Sequence, residues 1–341
     1  MHRRHLIAGG LAVAALPLWA TAQALEKPQV TLAVGGKNLL YYLPLTIAEQ
    51  LGYFKAEGLD VTIVDFAGGS KALQAVVGGS ADVVSGAFEH TITMQAKGQF
   101  MRAFVLQGAA PQIVLGYNPK TMPNYKSVAD LKGKKIGVSA PGSSTNVMAN
   151  FVLAKAGLKP TDVSFIGVGT GSGAVAAMRS GQIDAMSNLD PVITLLQRSG
   201  DLKIIADTRM VAESDKVFGG PMPAGCLYAP QTFIDKNPAT VQALTNAMVR
   251  ADMWIQKAGA ADIIKAVPEG YLLGDRAVYI DAFLAAKKAL SPDGMIPAKG
   301  AQTALHALVS ADEKLASAKL DLNAIYTNEF VKKAIAKYPK G

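Results

Sequence analysis

The chain has 341 residues, half of them hydrophobic and 18% charged, with 33 glycines and 17 prolines. These numbers exclude a miniprotein and a disordered or low-complexity chain, and predict roughly two domains, each long enough to bury a core. The net charge of +8 is scattered in pairs such as Lys134-Lys135, Lys287-Lys288 and Lys332-Lys333 without interleaved aromatics, which argues against a nucleic-acid surface.

His2, Arg3, Arg4 and His5 precede an apolar run from Leu6 to Trp19, and Ala20-Thr21-Ala22-Gln23-Ala24 then supplies small residues. The order basic, apolar, small predicts an export signal over residues 1–24, cleaved near Ala24. The apolar run is 14 residues long, short of the roughly 20 that span a bilayer. The Arg3-Arg4 pair resembles a twin-arginine signal, and ordinary secretion is equally compatible with it. Removing the segment lowers the formal charge from +8 to +6 over 317 residues. No second long apolar stretch follows, so the predicted location is the periplasm. Cys226 is the only cysteine, which excludes an intramolecular disulfide.

The body of the chain contains an internal repeat. Gly69 to Gly86 reads GSKALQAVVGGSADVVSG and Gly171 to Asn188 reads GSGAVAAMRSGQIDAMSN, with seven identities at a constant offset of 102. In the first copy, strands are predicted at Val30 to Val34, Val61 to Val64, Asp82 to Ser85 and Met101 to Gln107. Helices are predicted at Leu43 to Leu51, Ser70 to Val77 and Thr91 to Ala96. The second copy repeats the order, with strands near Lys135 to Ser139, Val163 to Val168, Ile183 to Ser187 and Lys203 to Ala206. Strands separated by helices predict parallel sheets with helices on both faces, hence two α/β lobes. After Ala224 helical patterns take over, at Asn237 to Lys257, Asp275 to Leu290, Ala301 to Ala318 and Ala324 to Tyr338.

Ligands of open α/β sheets bind beyond the carboxyl ends of the strands. The loops predicted to face a shared crevice are Gly35 to Tyr42, Ala67 to Ser70, Gly86 to His90, Ala140 to Asn146, Gly167 to Gly173 and Asn188 to Pro191. His90 and Asn188 are candidates by this placement. Ser143-Ser144-Thr145 opens a helix, where free N–H groups and hydroxyls suit an anion, although a single hydroxyl would serve as an ordinary cap. Catalytic constellations are sparse: beyond the signal only His90 and His306 accompany the single cysteine, so neither a zinc site nor a Cys/His pair is predicted, and no cofactor is. One competing pattern exists. Gly169, Gly171 and Ala174 satisfy a loose dinucleotide motif with Asp190 about twenty residues on, the signature of a nicotinamide-dependent oxidoreductase.

Further stretches carry a family resemblance. They are Pro44-Leu45-Thr46-Ile47-Ala48, Gly52-Tyr53-Phe54-Lys55-Ala56-Glu57-Gly58-Leu59-Asp60-Val61, the Ala72 to Asp82 segment, Ser127 to Val138, and Tyr326-Thr327-Asn328-Glu329-Phe330-Val331. With these the chain resembles the substrate-binding proteins of ABC importers of the nitrate, sulfonate and taurine class, including the SsuA/THI5-like (NMT1-like) domain. The resemblance implies a two-lobed periplasmic binding protein fold of type II with a ligand cleft between the lobes. It implies a monomer that captures a small anion and delivers it to an inner-membrane permease, and no enzymatic activity. It carries ligand contacts onto Lys37, Asn38 and Tyr41, onto Gly69 and Ser70, onto Gly86 and Phe88, and onto Ser143, Ser144 and Thr145. Many members have an aromatic-acid-proline contact where this chain reads Leu189-Asp190-Pro191. The lobes expected on this basis are 28–111 plus 224–341 and 112–223, joined near Pro111-Gln112-Ile113 and Gly225-Cys226-Leu227.

Overall fold

The computed structural model describes residues 24–310 and 312–339, so the predicted export signal up to Gln23 lies outside the described residues. Among the described residues, ten strands form two five-stranded sheets. The first contains β1 (Gln29–Gly35), β2 (Asp60–Phe66), β3 (Val83–Ala87) and β4 (Met101–Leu106). The second contains β5 (Val114–Tyr117), β6 (Lys135–Val138), β7 (Ser164–Gly167), β8 (Ala185–Asn188) and β9 (Lys203–Asp207). The last strand, β10 (Gly225–Pro230), returns to the first sheet.

The sheet orders are β2-β1-β3-β10-β4 and β7-β6-β8-β5-β9, the same arrangement twice. The register shows the repeat in space: Leu32 stands beside Ile63 and Val83 in one sheet, and Ile136 beside Phe165 and Ala185 in the other. The helices Gly69–Val77 and Ser172–Arg179 occupy matching places.

Each sheet is mixed rather than wholly parallel. β5 runs antiparallel between β8 and β9, and β10 antiparallel between β3 and β4. These two strands are the segments by which the chain enters the second sheet and leaves it. The expected joint at Gly225-Cys226-Leu227 therefore also lies within a sheet strand, while Pro111-Gln112-Ile113 stands just ahead of β5. β10 is buried along nearly its whole length, and Leu227 and Tyr228 are fully enclosed. Buried on both faces, such a strand shows no alternation of polar and apolar residues to betray it.

The C-terminal region packs on the first sheet. The Pro238–Lys257 helix starts with Pro at its first position, the place where a missing N–H costs least, and lies against the Leu43–Gln50 and Glu329–Lys337 helices. Two expected helices are shorter. The 301–318 pattern resolves into Gly300–Val309 and Glu313–Ala316. Residues 325–327 run extended beside β4, where Ala103 N–H donates to the Ile325 carbonyl at 2.8 Å and Thr327 N–H to the Ala103 carbonyl at 2.9 Å. The open edge of β4 thereby gains a partner, which overrides the helical periodicity.

One core residue gives a pH-dependent expectation. Asp252 of the Pro238–Lys257 helix is fully buried, and neither carboxylate oxygen has a hydrogen-bond partner among the described residues. Burial, reinforced by the nearby Asp293 charge, raises its pKa well above the ordinary carboxylate range. A folded-state pKa above the unfolded value of about 3.9 gives stability that is complete below that pH and is lost as pH rises. Asp252→Asn is expected to raise the melting temperature at pH 7 and to flatten its decline between pH 4 and 8. Parallel melting curves of the two proteins across that range would contradict the assignment.

Candidate functional site

The carboxyl ends of the parallel strands bring loops from both sheets face to face. Gly35 ends β1, and a Cβ placed there would lie 2.2 Å from Gly68 C and Gly69 N, so only glycine lets the two loops pack so closely. Gly68 in turn faces the second lobe: its Cβ would stand 2.8 Å from Ala140 Cβ. Hydrogen bonds cross the cleft at several points. Ser70 N–H donates to Ser143 Oγ at 3.0 Å and Ser70 Oγ donates to the Pro141 carbonyl at 2.9 Å. Asn38 Nδ2 donates to the Thr170 carbonyl at 3.2 Å, and Leu40 N–H donates to the Asp190 carbonyl at 3.2 Å. The lobes are closed on one another.

Two small cavities remain inside this seam, with about 20 Å³ and about 10 Å³ of space for the centres of water molecules. Each has room for roughly one water. The larger is lined by Leu39, Tyr42, Gly69, Ser139, Thr145 and Leu189 among others, the smaller by Glu89, Ile113, Met148, Phe218 and Met222 among others. Tyr41 and Ser144 line both. Tyr41 and Tyr42 meet edge to face with centroids 4.8 Å apart. Burial first, and the Glu89 charge second, raises both phenols far above their ordinary range, so both remain neutral hydrogen-bond donors.

His90 closes the floor. Burial lowers its pKa despite the adjacent Glu89 charge, so the imidazole is neutral at physiological pH. Its Nδ1 lies 3.0 Å from the Tyr228 hydroxyl and its Nε2 3.3 Å from the Gly142 carbonyl across the cleft. That pair of partners assigns the proton to Nε2, which donates to Gly142, while Nδ1 accepts from Tyr228.

The structure brings together Tyr41, Gly69, Ser143, Ser144 and Thr145 as cavity-lining residues, and places Asn38, Ser70, His90 and the Asp190 backbone in the cross-lobe contacts. Their tasks differ from one another. Thr145 Oγ1 is bound to Ser139 N at 3.0 Å and Ser139 Oγ at 2.9 Å, so it braces the preceding loop. Ser143 Oγ is committed to Ser70, leaving Ser144 as the hydroxyl of the trio that lines both cavities.

Lys37, Gly86, Phe88, Asn188 and Asp190 line neither cavity. Lys37 pairs with Glu49 at 2.6 Å. A Cβ on Gly86 would meet Tyr228 at 3.0 Å, and Phe88 is a fully buried core ring against Tyr326. Asn188 Nδ2 donates to the Gly169 carbonyl at 3.0 Å, tying two loops of one lobe. The Asp190 carboxylate accepts from Thr194 N–H at 2.8 Å and faces Arg209 at 3.5 Å.

Sequence reasoning missed Glu89, Met148, Phe218 and Met222. Glu89 had a readable signal, an acid inside the predicted Gly86 to His90 loop; Phe218 and Met222 come from a stretch outside the repeated motif and had none. Among the described residues, no group of three or more His, Cys, Asp or Glu is placed to hold a metal ion.

Two similarly ordered α/β lobes, connected by two strands and closing on a cleft built from their strand-end loops, define a periplasmic binding protein fold. The comparisons agree with that class. The chain belongs to the NMT1-like family, whose sequence model matches residues 23–267. A solved structure from Bordetella bronchiseptica RB50 is 66% identical, with a TM-score of 0.91 over 93% of this chain and 100% of that one. The alkanesulfonate-binding protein SsuA from Xanthomonas axonopodis pv. citri, solved with MOPS, is 21% identical with a TM-score of 0.65, over 91% of this chain and 99% of that one. A curated relative of Saccharomyces cerevisiae, 4-amino-5-hydroxymethyl-2-methylpyrimidine phosphate synthase THI13, is 25% identical over 251 residues, 71% of this chain and 70% of the relative.

Proposed function

We propose that this protein is the solute-capturing component of an ABC importer outside the cytoplasm, closing over a small molecule and handing it to a membrane permease without transforming it. The observation that carries this reading is the set of hydrogen bonds joining the loops of the two sheets across the cleft. Ser70 to Ser143 and Asn38 to Thr170 are contacts that hold a closed state and part when the lobes separate. In this reading residues 28–111 with 224–341 move as one lobe and 112–223 as the other, bending where β5 and β10 begin. The one cysteine is buried in β10 with its thiol pKa raised well above the ordinary range by burial, so it offers no nucleophile to the cleft.

The ligand's acceptor group, a carboxylate, sulfonate or nitrate-like head, is assigned to the start of the Ser144–Lys155 helix. There the Ser144 and Thr145 amides precede the first intrahelical bond, which Asn146 N–H makes to the Ser143 carbonyl at 2.8 Å, and the Ser144 hydroxyl lines the cavity. The helix dipole contributes only about 0.3 to 1 kcal/mol, so the hydrogen bonds must supply most of the selectivity. A thermal-shift panel of carboxylates, sulfonates, nitrate, amines and neutral sugars tests the reading. A ligand at 100 times its dissociation constant adds about 2.7 kcal/mol of stability. The same ligand should alter the radius of gyration by scattering as the lobes pass between open and closed. If no compound shifts the melting temperature and the radius stays constant throughout, the binding role is wrong.

A further inference from the structure

Glu89 is an acidic group lining the cleft. It opens the Glu89–Ala96 helix, is only 3% exposed, and lines the smaller cavity beside Tyr41, Ser144, Met148 and Phe218. Among the described residues no hydrogen bond or ion pair reaches its carboxylate. The titratable groups around it are Tyr41 and Tyr42 from the first lobe's loop, His90 from its own helix, and Cys226 and Tyr228 from β10. None of these is a cation: the phenols and thiol are neutral and His90 is already engaged by Tyr228 and Gly142.

Other buried acids behave differently. Asp190 has Thr194 and Arg209, and Asp201 has Lys120, Arg179 and Ser199. Asp252 is unpaired but lines no described cavity. A carboxylate taken out of water without a donor is costly, and the cost is recovered when a partner arrives with the missing donor.

We propose that Glu89 is a ligand-contacting residue and that the carried solute presents a nitrogen donor to it, a protonated amine, an amidine or a protonated N-heterocycle. The inference rests on the solute-binding reading and narrows its substrate class. The nitrogen meets Glu89, the acceptor end meets Ser144, and a slender or flat apolar body lies against Met148, Met222 and Phe218. Methionine side chains re-pack readily, which lets a cavity this small widen around such a body.

The test uses probe pairs that differ by one nitrogen: benzoate against 4-(aminomethyl)benzoate, and butyrate against 4-aminobutyrate. Each is titrated by calorimetry and thermal shift into the full mature protein, Glu89→Gln and Glu89→Leu. Expected is a preference of about tenfold or more for the amine-bearing member of a pair, lost in both variants, as a charge-assisted hydrogen bond requires. If the plain acids bind as tightly as their amine partners and the variants bind like the parent, this inference falls while the solute-binding reading stands. If no probe binds and the scattering radius never changes, both fall together.

Discussion

Gly68→Val is expected to weaken ligand binding at least tenfold and to enlarge the scattering radius of the unliganded protein, with little change in melting temperature. The backbone at Gly68 is extended, at φ −179° and ψ 165°, so valine meets no conformational penalty there. The atoms its Cβ would strike belong to the other lobe: Ala140 Cβ at 2.8 Å, Ala140 N at 3.1 Å and Ser143 Oγ at 3.1 Å. The first lobe therefore folds undisturbed, and the cost falls wholly on closure. The clash also separates Ser70 from Ser143 and Pro141, removing two of the cross-cleft hydrogen bonds. Gly171→Ala is the control, since a Cβ at Gly171 meets nothing within 4 Å. Calorimetric affinities of the two variants decide the matter. Equal affinity for Gly68→Val and the parent would show that the lobes need not approach this closely to hold ligand.

The second large effect is on folding. Gly35→Ala is expected to lower the unfolding free energy by about 3 kcal/mol, the upper end for an overpacked site. The colliding atoms at 2.2 Å are the Gly68 carbonyl carbon and the Gly69 nitrogen, backbone atoms with no rotamer to escape into. The loop after β2 must shift, and with it the start of the Gly69–Val77 helix, so ligand affinity should fall as well. Urea unfolding of the two proteins reads the difference, and an unchanged slope with a lower midpoint marks it as lost stability rather than a changed denatured state. A midpoint within error of the parent would mean that the loop accommodates the methyl group.

Much of this organisation is written in the sequence. The offset of 102 between GSKALQAVVGGSADVVSG and GSGAVAAMRSGQIDAMSN determines two matching strand-helix-strand units, because the same pattern of small, apolar and turn residues folds to the same local geometry twice. The alternation of strand and helix determines the lobes, and the rule that α/β sheets bind at their carboxyl ends locates the facing loops. Tertiary structure alone decides which residues of those loops reach the cavity. Ser143, Ser144 and Thr145 read alike in sequence, yet Ser70 takes the first, Ser139 takes the third, and the second lines both cavities. The central positions of β5 and β10 are likewise invisible locally, since a strand buried on both faces carries no alternating pattern and its pairing depends on partners about 70 to 140 residues away in the chain. Glu89 shows the same division: its position after β3 is a local fact, while its place in a cavity beside Ser144, Met148, Phe218 and Met222 depends on segments far apart in the chain meeting there.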